Sequence, residues 1–242
     1  EFLQEETLTG NYQEKRTFKN KMKRGIYRLF SDALQKELPW GTLTGIRPTK
    51  IVFDGFAKGK PREQIIEDMQ RDYLTSKGKA ILCTEVVEKE RDLLRRFPYQ
   101  NGYSLYIGIP FCPSTCLYCS FASYPIGAYQ KQVKSYLKAL MKEAAFVRDR
   151  YQGKKLETLY IGGGTPTALA KDDLEILLDG INQYFPFETI REVTVEAGRT
   201  DSLDQEKLKV LSKYGVTRIS INPQTMNDRT LQRIGRNHTA QD

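Results

Sequence analysis

From Gly102 onward, short apolar, β-prone runs alternate with amphipathic helical runs, and this rhythm constrains the fold more than any other property of the 242 residues. Tyr103 to Ile109 reads as a strand. The helix after it carries Val133, Tyr136, Leu137, Leu140, Ala144 and Val147 on one face. The pattern recurs with Leu156 to Ile161, followed by a helix bearing Leu174, Leu177, Leu178 and Ile181. It recurs again with Glu192 to Val195, ending in Glu196, before a helix carrying Leu208 and Leu211 that Ser202 and Gln205 would open as a capping box. A fourth strand, Val216 to Ile221, leads to another helix near Asp228. Repeated βα units require parallel strands joined by crossovers. Candidate site residues follow every strand and would converge on one face, which favours a barrel-like sheet over a doubly wound one. The expected class is α/β, a partial (β/α) barrel whose remaining strands lie beyond Asp242. A start at Glu1 and a stop at Asp242 fit a piece of a longer protein.

Residues 1–100 read instead as a mainly helical accessory region, leaving 101–242 for the barrel. Met22, Ile26, Phe30 and Leu34 recur at helical spacing, widened by Leu29 and Ala33. Pro48 would open a second helix and Gly59 close it. Pro61 and Ser76 precede two further amphipathic runs, the latter carrying Ile81, Val86 and Leu93. The turn-rich stretch between Leu38 and Lys50 holds Trp40 and reads as a structured surface loop, Arg47 and Lys50 included.

With 39% apolar and 28% charged residues, the composition is that of a globular protein. No apolar run is long enough to span a bilayer and no signal-like segment opens the chain, so the expected location is cytoplasmic. Four cysteines, three of them clustered, argue against a secreted disulfide framework. The net charge of +8 is less specific. Lys15, Arg16, Lys19, Lys21, Lys23, Arg24 and Arg28 supply much of it and read as a solvated helix face. No nucleic-acid partner is expected; an anionic substrate or an acidic electron donor fits the balance.

The chemistry concentrates in Cys112, Cys116 and Cys119, spaced Cys-x3-Cys-x2-Cys after the first strand. A structural zinc site or a fully ligated cluster calls for four ligands. Three thiolates on one loop can instead hold a four-iron cluster that leaves one iron open to a substrate or cofactor. A zinc site completed by a distant ligand is the alternative. His238, in a polar terminal stretch, reads as a surface residue, and Cys83 as a buried small apolar one.

The run from Tyr106 to Cys119 resembles the cluster loop of radical S-adenosylmethionine enzymes. More narrowly, it is similar to the oxygen-independent coproporphyrinogen III oxidase (HemN/HemW-like) group. Gly162 to Thr167 and the stretch from Asn222 through Arg236 to His238 match that group's second and third motifs. The tryptophan-bearing loop adds a resemblance to the HemZ-type branch. The fold implied is a partial radical SAM barrel.

The resemblance implies a [4Fe-4S] cluster on Cys112, Cys116 and Cys119, with S-adenosyl-L-methionine chelating the open iron. One electron would cleave the sulfonium to a 5′-deoxyadenosyl radical. Tyr106 would stand beside the sulfonium as the catalytic residue, and Tyr118 near adenine. Gly163, Gly164 and Thr165 would allow close approach and offer amide donors to the methionine end. Glu196 would bind ribose hydroxyls, and Gln224 and Arg236 a second S-adenosylmethionine. Two positions depart from the group: Gly108 stands where many relatives have histidine, and Phe121 stands at or near a fourth cysteine of the decarboxylating enzymes. The heme-trafficking relatives share the second departure.

The expected function is therefore a radical SAM oxidoreductase, coproporphyrinogen dehydrogenase-like, that converts coproporphyrinogen III to protoporphyrinogen IX in heme biosynthesis. Its partners would be a tetrapyrrole substrate or heme, and a reduced flavodoxin or ferredoxin-type donor. A heme chaperone of the same family, and a radical enzyme that methylates or opens heme, are the alternatives.

Overall fold

A computed structural model describes residues 15–45, 47–97 and 101–242. Ile46, inside the tryptophan loop, and the side chain of Arg16 lie outside the described residues. The chain forms two compact units, Glu1–Phe97 and Pro98–Asp242.

The first unit holds helices α1 (Lys15–Leu34), α2 (Thr49–Ala57), α3 (Arg62–Tyr73) and α4 (Lys77–Leu94). Pro48 and Pro61 precede α2 and α3, and the Ser76 hydroxyl caps α4 by accepting from the Lys79 amide. The core is Val52, Ile65, Ile66, Met69, Ala80, Cys83 and Val87. Two sequence expectations shift here. The α1 stripe of Met22, Ile26, Phe30 and Leu34 is exposed rather than packed. On α4 the buried face is Ala80, Cys83, Thr84 and Val87, at spacings of three and four, while Val86 and Leu93 point outward. Val86 and Leu93, seven residues apart, share the outward face, while Ile81 lies about a third of a turn away and packs against the core. Trp40 packs against this core with the Lys79 ammonium 5.2 Å above its ring.

The second unit is built on strands β1 (Gly102–Ile109), β4 (Lys155–Gly163), β5 (Glu192–Glu196) and β6 (Arg218–Ser220). They form one sheet in the order β1-β4-β5-β6, all parallel. Helices α5 (Ile126–Arg150), α6 (Lys171–Tyr184), α7 (Gln205–Lys213) and α8 (Asp228–Arg233) follow the strands in turn. Strands adjacent in sequence are adjacent in space throughout, as in the wall of a barrel and unlike a doubly wound sheet. The unit is thus an α/β, partial (β/α) barrel. Two short strands, β2 (Phe111–Cys112) and β3 (Tyr124–Pro125), pair with each other outside the main sheet.

Burial explains why these segments fold as they do. Leu174, Leu177, Leu178 and Ile181 are fully buried along α6, against Ile161, Val193 and Val195 of the sheet. The α5 face predicted from periodicity is the packed one, with Val133, Leu137 and Ala144 buried. On α7 the inward residues are Val210 and Leu211, and Leu208 is exposed. Asp204, not Ser202, caps α7, accepting from the Lys207 amide at 2.8 Å. Ser202 belongs to a 3-10 turn, Thr200–Ser202, and its hydroxyl donates to the Arg199 carbonyl. The fourth strand is shorter than predicted, since Val216 and Ile221 fall outside Arg218–Ser220.

Leu178→Ala should cost this unit about 2–5 kcal/mol, because a fully buried leucine leaves a cavity its neighbours fill only in part. A lower denaturant midpoint with unchanged slope is the expected reading. Among the described residues, no helix is long and apolar enough to cross a membrane.

Candidate functional site

The ends of the parallel strands bring the chemistry together. Strand β1 stops at Ile109, and the chain turns through Pro110 into β2, whose second residue is Cys112. The ladder Phe111↔Tyr124 and Cys112↔Pro125 ties the two ends of the cysteine loop to each other. Inside the loop the Cys119 amide donates to the Cys116 carbonyl at 3.0 Å. Cys112 is buried, with its sulfur 3.4 Å from the Thr165 hydroxyl. Burial pushes the Cys112 thiol up, partly countered by the Thr165 hydrogen bond and the Arg199 charge.

The glycine run follows β4. Gly163 sits at φ +107, where side chains are strained, and a Cβ there would stand 2.9 Å from the Ile109 carbonyl oxygen. A Cβ on Gly164 would stand 2.6 Å from the Phe111 carbonyl oxygen and 3.0 Å from the Cys112 sulfur. The run therefore lies directly against the backbone that carries Cys112. The expectation of free amide donors is corrected for two residues. The Gly164 amide donates to the Ile109 carbonyl, and the Thr165 amide to the Phe111 carbonyl, each at 2.7 Å. These amides are spent on fastening β4 to β1 and β2, and what the glycines provide is space.

Glu196 ends β5 and accepts a 2.6 Å hydrogen bond from the Tyr160 hydroxyl of β4. Tyr160 in turn stacks on Tyr106 of β1, with ring centroids 5.9 Å apart. The bond to the Glu196 carboxylate, with burial second, pushes the Tyr160 phenol up to about 12. Burial, then the Glu196 charge, raises Tyr106 as well. A phenol raised above its ordinary value of about 10 adds stability that is complete below that pH and disappears as pH climbs through the folded value. Glu196→Gln should return Tyr160 toward the ordinary range. An alkaline absorbance titration would then gain one phenolate at lower pH, and an unchanged curve would show that the carboxylate does not set the shift.

Beyond β6, Gln224 adopts φ +68, a left-handed conformation rare for a side chain of this kind. Arg236 is buried rather than a solvated helix charge. Its Nη1 donates to the Gly198 carbonyl at 2.8 Å and its Nη2 to the Tyr118 hydroxyl at 3.1 Å, while the buried Nε has no partner. Both ring nitrogens of His238 are likewise enclosed without partners, against the expectation of a surface residue.

One pocket of about 180 Å3 gathers these parts. Cys112, Cys116 and Cys119 line it from the loop, together with Tyr118. Gly163, Gly164 and Thr165 form its floor on the β4 side, and Glu196, Gln224 and Arg236 enter from the later strands. Tyr106 is not among these linings; it borders an adjoining cleft of about 450 Å3 that shares Phe121, Gly163 and Gly164 with the pocket. Two lining residues, Gly198 and Arg199, were not singled out from sequence. Both follow strand ends within three residues of a residue that was, and that proximity was the available signal.

Residues 106–242 match the Radical SAM superfamily. The chain belongs to that family. It is 39% identical over 240 residues to the oxygen-independent coproporphyrinogen-III oxidase-like protein HemZ of Bacillus subtilis, covering 95% of this chain and 47% of that protein. It is 42% identical over 140 residues to the heme chaperone HemW of the same organism, covering 57% of this chain and 36% of HemW. Coproporphyrinogen III oxidase HemN of Escherichia coli, a radical SAM enzyme, aligns in structure with a TM-score of 0.49 and 26% identity, covering 57% of this chain and 31% of HemN. The chain spans about half the length of HemZ and about a third of HemW.

Membership of the radical SAM family implies an iron–sulfur cluster and S-adenosylmethionine. The residues present fit them. Among the described residues, no three His, Cys, Asp or Glu side chains converge on a single ion's position. The three thiols instead line one pocket, and a four-iron cluster takes each thiolate on a different iron. With no Cβ, Gly163 and Gly164 let the backbone from Ile109 to Cys112 lie directly against them, which sets Cys112 in the wall of the pocket that they also line.

Proposed function

We propose that the chain is the cofactor-binding part of a radical SAM oxidoreductase acting on coproporphyrinogen III. The single observation that carries this is the convergence of three thiols, a glycine floor and a carboxylate on one pocket at the strand ends. The likeness to HemZ over nearly the whole chain supports the substrate class. When bound, the cluster and S-adenosylmethionine supply one-electron reductive cleavage and hydrogen abstraction.

The protein's own residues bind and orient. Cys112, Cys116 and Cys119 hold the cluster. Glu196 keeps one carboxylate oxygen occupied by Tyr160 and offers the other to ribose hydroxyls. Tyr106 borders the larger cleft, mostly apolar in its lining residues, and stacks on the Tyr160 ring that holds Glu196. Tyr118 is held by Arg236 at the pocket rim, which suits it to stack on adenine. Gln224 and the unpartnered Nε of Arg236 are the groups left for a second S-adenosylmethionine. In the reaction, each of two propionates would give up a hydrogen atom to the cofactor and one electron to an external acceptor, release CO2 and become a vinyl group, giving protoporphyrinogen IX. We read residues 1–100 as an accessory region of this cytoplasmic protein, and 101–242 as the N-terminal part of the barrel. An acidic flavodoxin or ferredoxin-type protein as donor suits the basic charge balance.

A heme chaperone is the second reading, favoured by the identity with HemW and by Phe121, which lines both cavities near the place of a fourth cysteine. The cluster-loaded full-length protein, given coproporphyrinogen III anaerobically with a reductant, should yield a product lighter by two CO2 and four hydrogens. Stable heme binding with cofactor cleavage but no porphyrinogen turnover would reject the oxidase reading in favour of the chaperone.

A further inference from the structure

Arg199 follows β5 and lines the pocket, with no part in the binding roles assigned to the other lining residues. Its side chain is only 3% exposed and forms a two-point ion pair with Asp201, Nε to Oδ1 at 2.9 Å and Nη2 to Oδ2 at 2.6 Å. That fork fixes the plane of the guanidinium and leaves Nη1 one direction in which to point. Nη1 donates to the Ser114 carbonyl and to the Ser114 hydroxyl, both at 2.9 Å, and lies 3.8 Å from the Cys116 sulfur. An arginine buried only to neutralise Asp201 would have no need to spend its third nitrogen on a loop 85 residues away.

The surroundings fix both ends of this contact. The Ser114 hydroxyl, while accepting from Arg199, donates to the Gly235 carbonyl at 3.1 Å, and the Leu117 amide donates to the Ile234 carbonyl at 3.0 Å. On the other side, the Arg199 carbonyl accepts from the Ser202 hydroxyl at 2.7 Å, and that hydroxyl also pairs with Thr167 beyond the glycine run. The half-buried Lys207 ammonium donates to the carbonyls of Thr167 and Ser202 at 2.7 and 2.8 Å, tying the same turn to the glycine side. Arg199 thus stands at the end of a network that begins at Thr167, just past the glycine run.

We propose that Arg199 is a positioning residue of the cysteine loop: it holds Ser114 to Cys116 in place and keeps a permanent positive charge beside the Cys116 sulfur. The charge half of the proposal rests on the reading of the cysteines as cluster ligands; the positioning half does not. A guanidinium stays charged at any working pH, so no titration is involved. Hydrogen bonds and positive charge at a ligating sulfur favour the more negative, reduced state of a cluster.

The test uses the full chain as wild type, Arg199→Gln, Arg199→Lys and Ser114→Ala. Amide exchange over residues 112–120 is followed without cluster, and the midpoint potential is measured after reconstitution. Arg199→Gln should speed loop exchange by about tenfold or more, weaken cluster retention against a chelator by about 10- to 100-fold, and move the potential negative. Arg199→Lys should loosen the loop but hold the potential near wild type. Ser114→Ala should loosen the loop with the smaller effect. Exchange within α6 reports whether the fold is intact. Wild-type loop exchange in Arg199→Gln, or in both Arg199→Lys and Ser114→Ala should the glutamine variant not fold, would overturn the positioning claim. An unmoved potential in Arg199→Gln would overturn the charge claim. A wild-type chain that takes up no cluster would instead refute the cluster reading and with it the charge claim, while loop exchange would still decide positioning.

Discussion

Replacing any one of Cys112, Cys116 and Cys119 with serine is expected to bring iron per chain to background after anaerobic reconstitution, and cleavage of S-adenosylmethionine to below detection. A hydroxyl is a far poorer ligand than a thiolate. Among the described residues the barrel unit has no other cysteine to substitute, since Cys83 is buried in the core of the helical unit. The three variants should differ in stability even while they agree in iron loss. Cys112 is buried against the glycine run and Thr165, whereas Cys116 and Cys119 are partly exposed on the loop. Only the first should lower the melting temperature; the other two should stay within about 0.5 kcal/mol of wild type. Colorimetric iron and thermal unfolding separate the two effects. A single variant that keeps a complete cluster would mean that the loop is not its sole protein anchor.

Gly164→Ala is the second change with a large expected effect. Its Cβ would press on the Phe111 carbonyl oxygen and the Cys112 sulfur together. The first is backbone and cannot turn aside, so relief requires β2 to move, and Cys112 moves with it. The cost should be about 1–3 kcal/mol of stability, as for overpacking elsewhere, together with loss of most cluster uptake. Gly127→Ala provides the contrast. Gly127 lies in the first turn of α5, where a Cβ would meet nothing within 4 Å, so alanine there should be neutral or stabilising by up to about 1 kcal/mol. Melting temperature and iron content measured for both would test whether space at Gly164, and not glycine content in general, is what the site requires.

Much of the barrel unit could be read from local pattern. Leu174, Leu177, Leu178 and Ile181 recur with the helical period because one side of α6 meets the sheet, and burial of that side is a local requirement. The α1 stripe shows where the same reasoning breaks down. Its period is just as regular, yet Phe30 and Leu34 are exposed, because periodicity states which residues share a face and not whether anything covers it. Ser202 failed for a related reason. Its spacing to Gln205 suits a capping box, but its hydroxyl is engaged by Arg199 and Thr167, and Asp204 caps the helix instead.

By itself the sequence determined which thiols, glycines and carboxylate stand together and on which side of the fold. Thiol spacing within one loop, and glycines or a carboxylate at strand ends, are short-range properties that parallel βα units carry to a common face. Only the tertiary structure decided how the polar groups are used. The Gly164 and Thr165 amides turn inward to β1 and β2, Arg236 joins three loops, and Arg199 reaches Ser114 and Cys116. Each of these bonds joins residues far apart in the chain, and a hydrogen bond made across such a distance imposes no repeat on the residues around it.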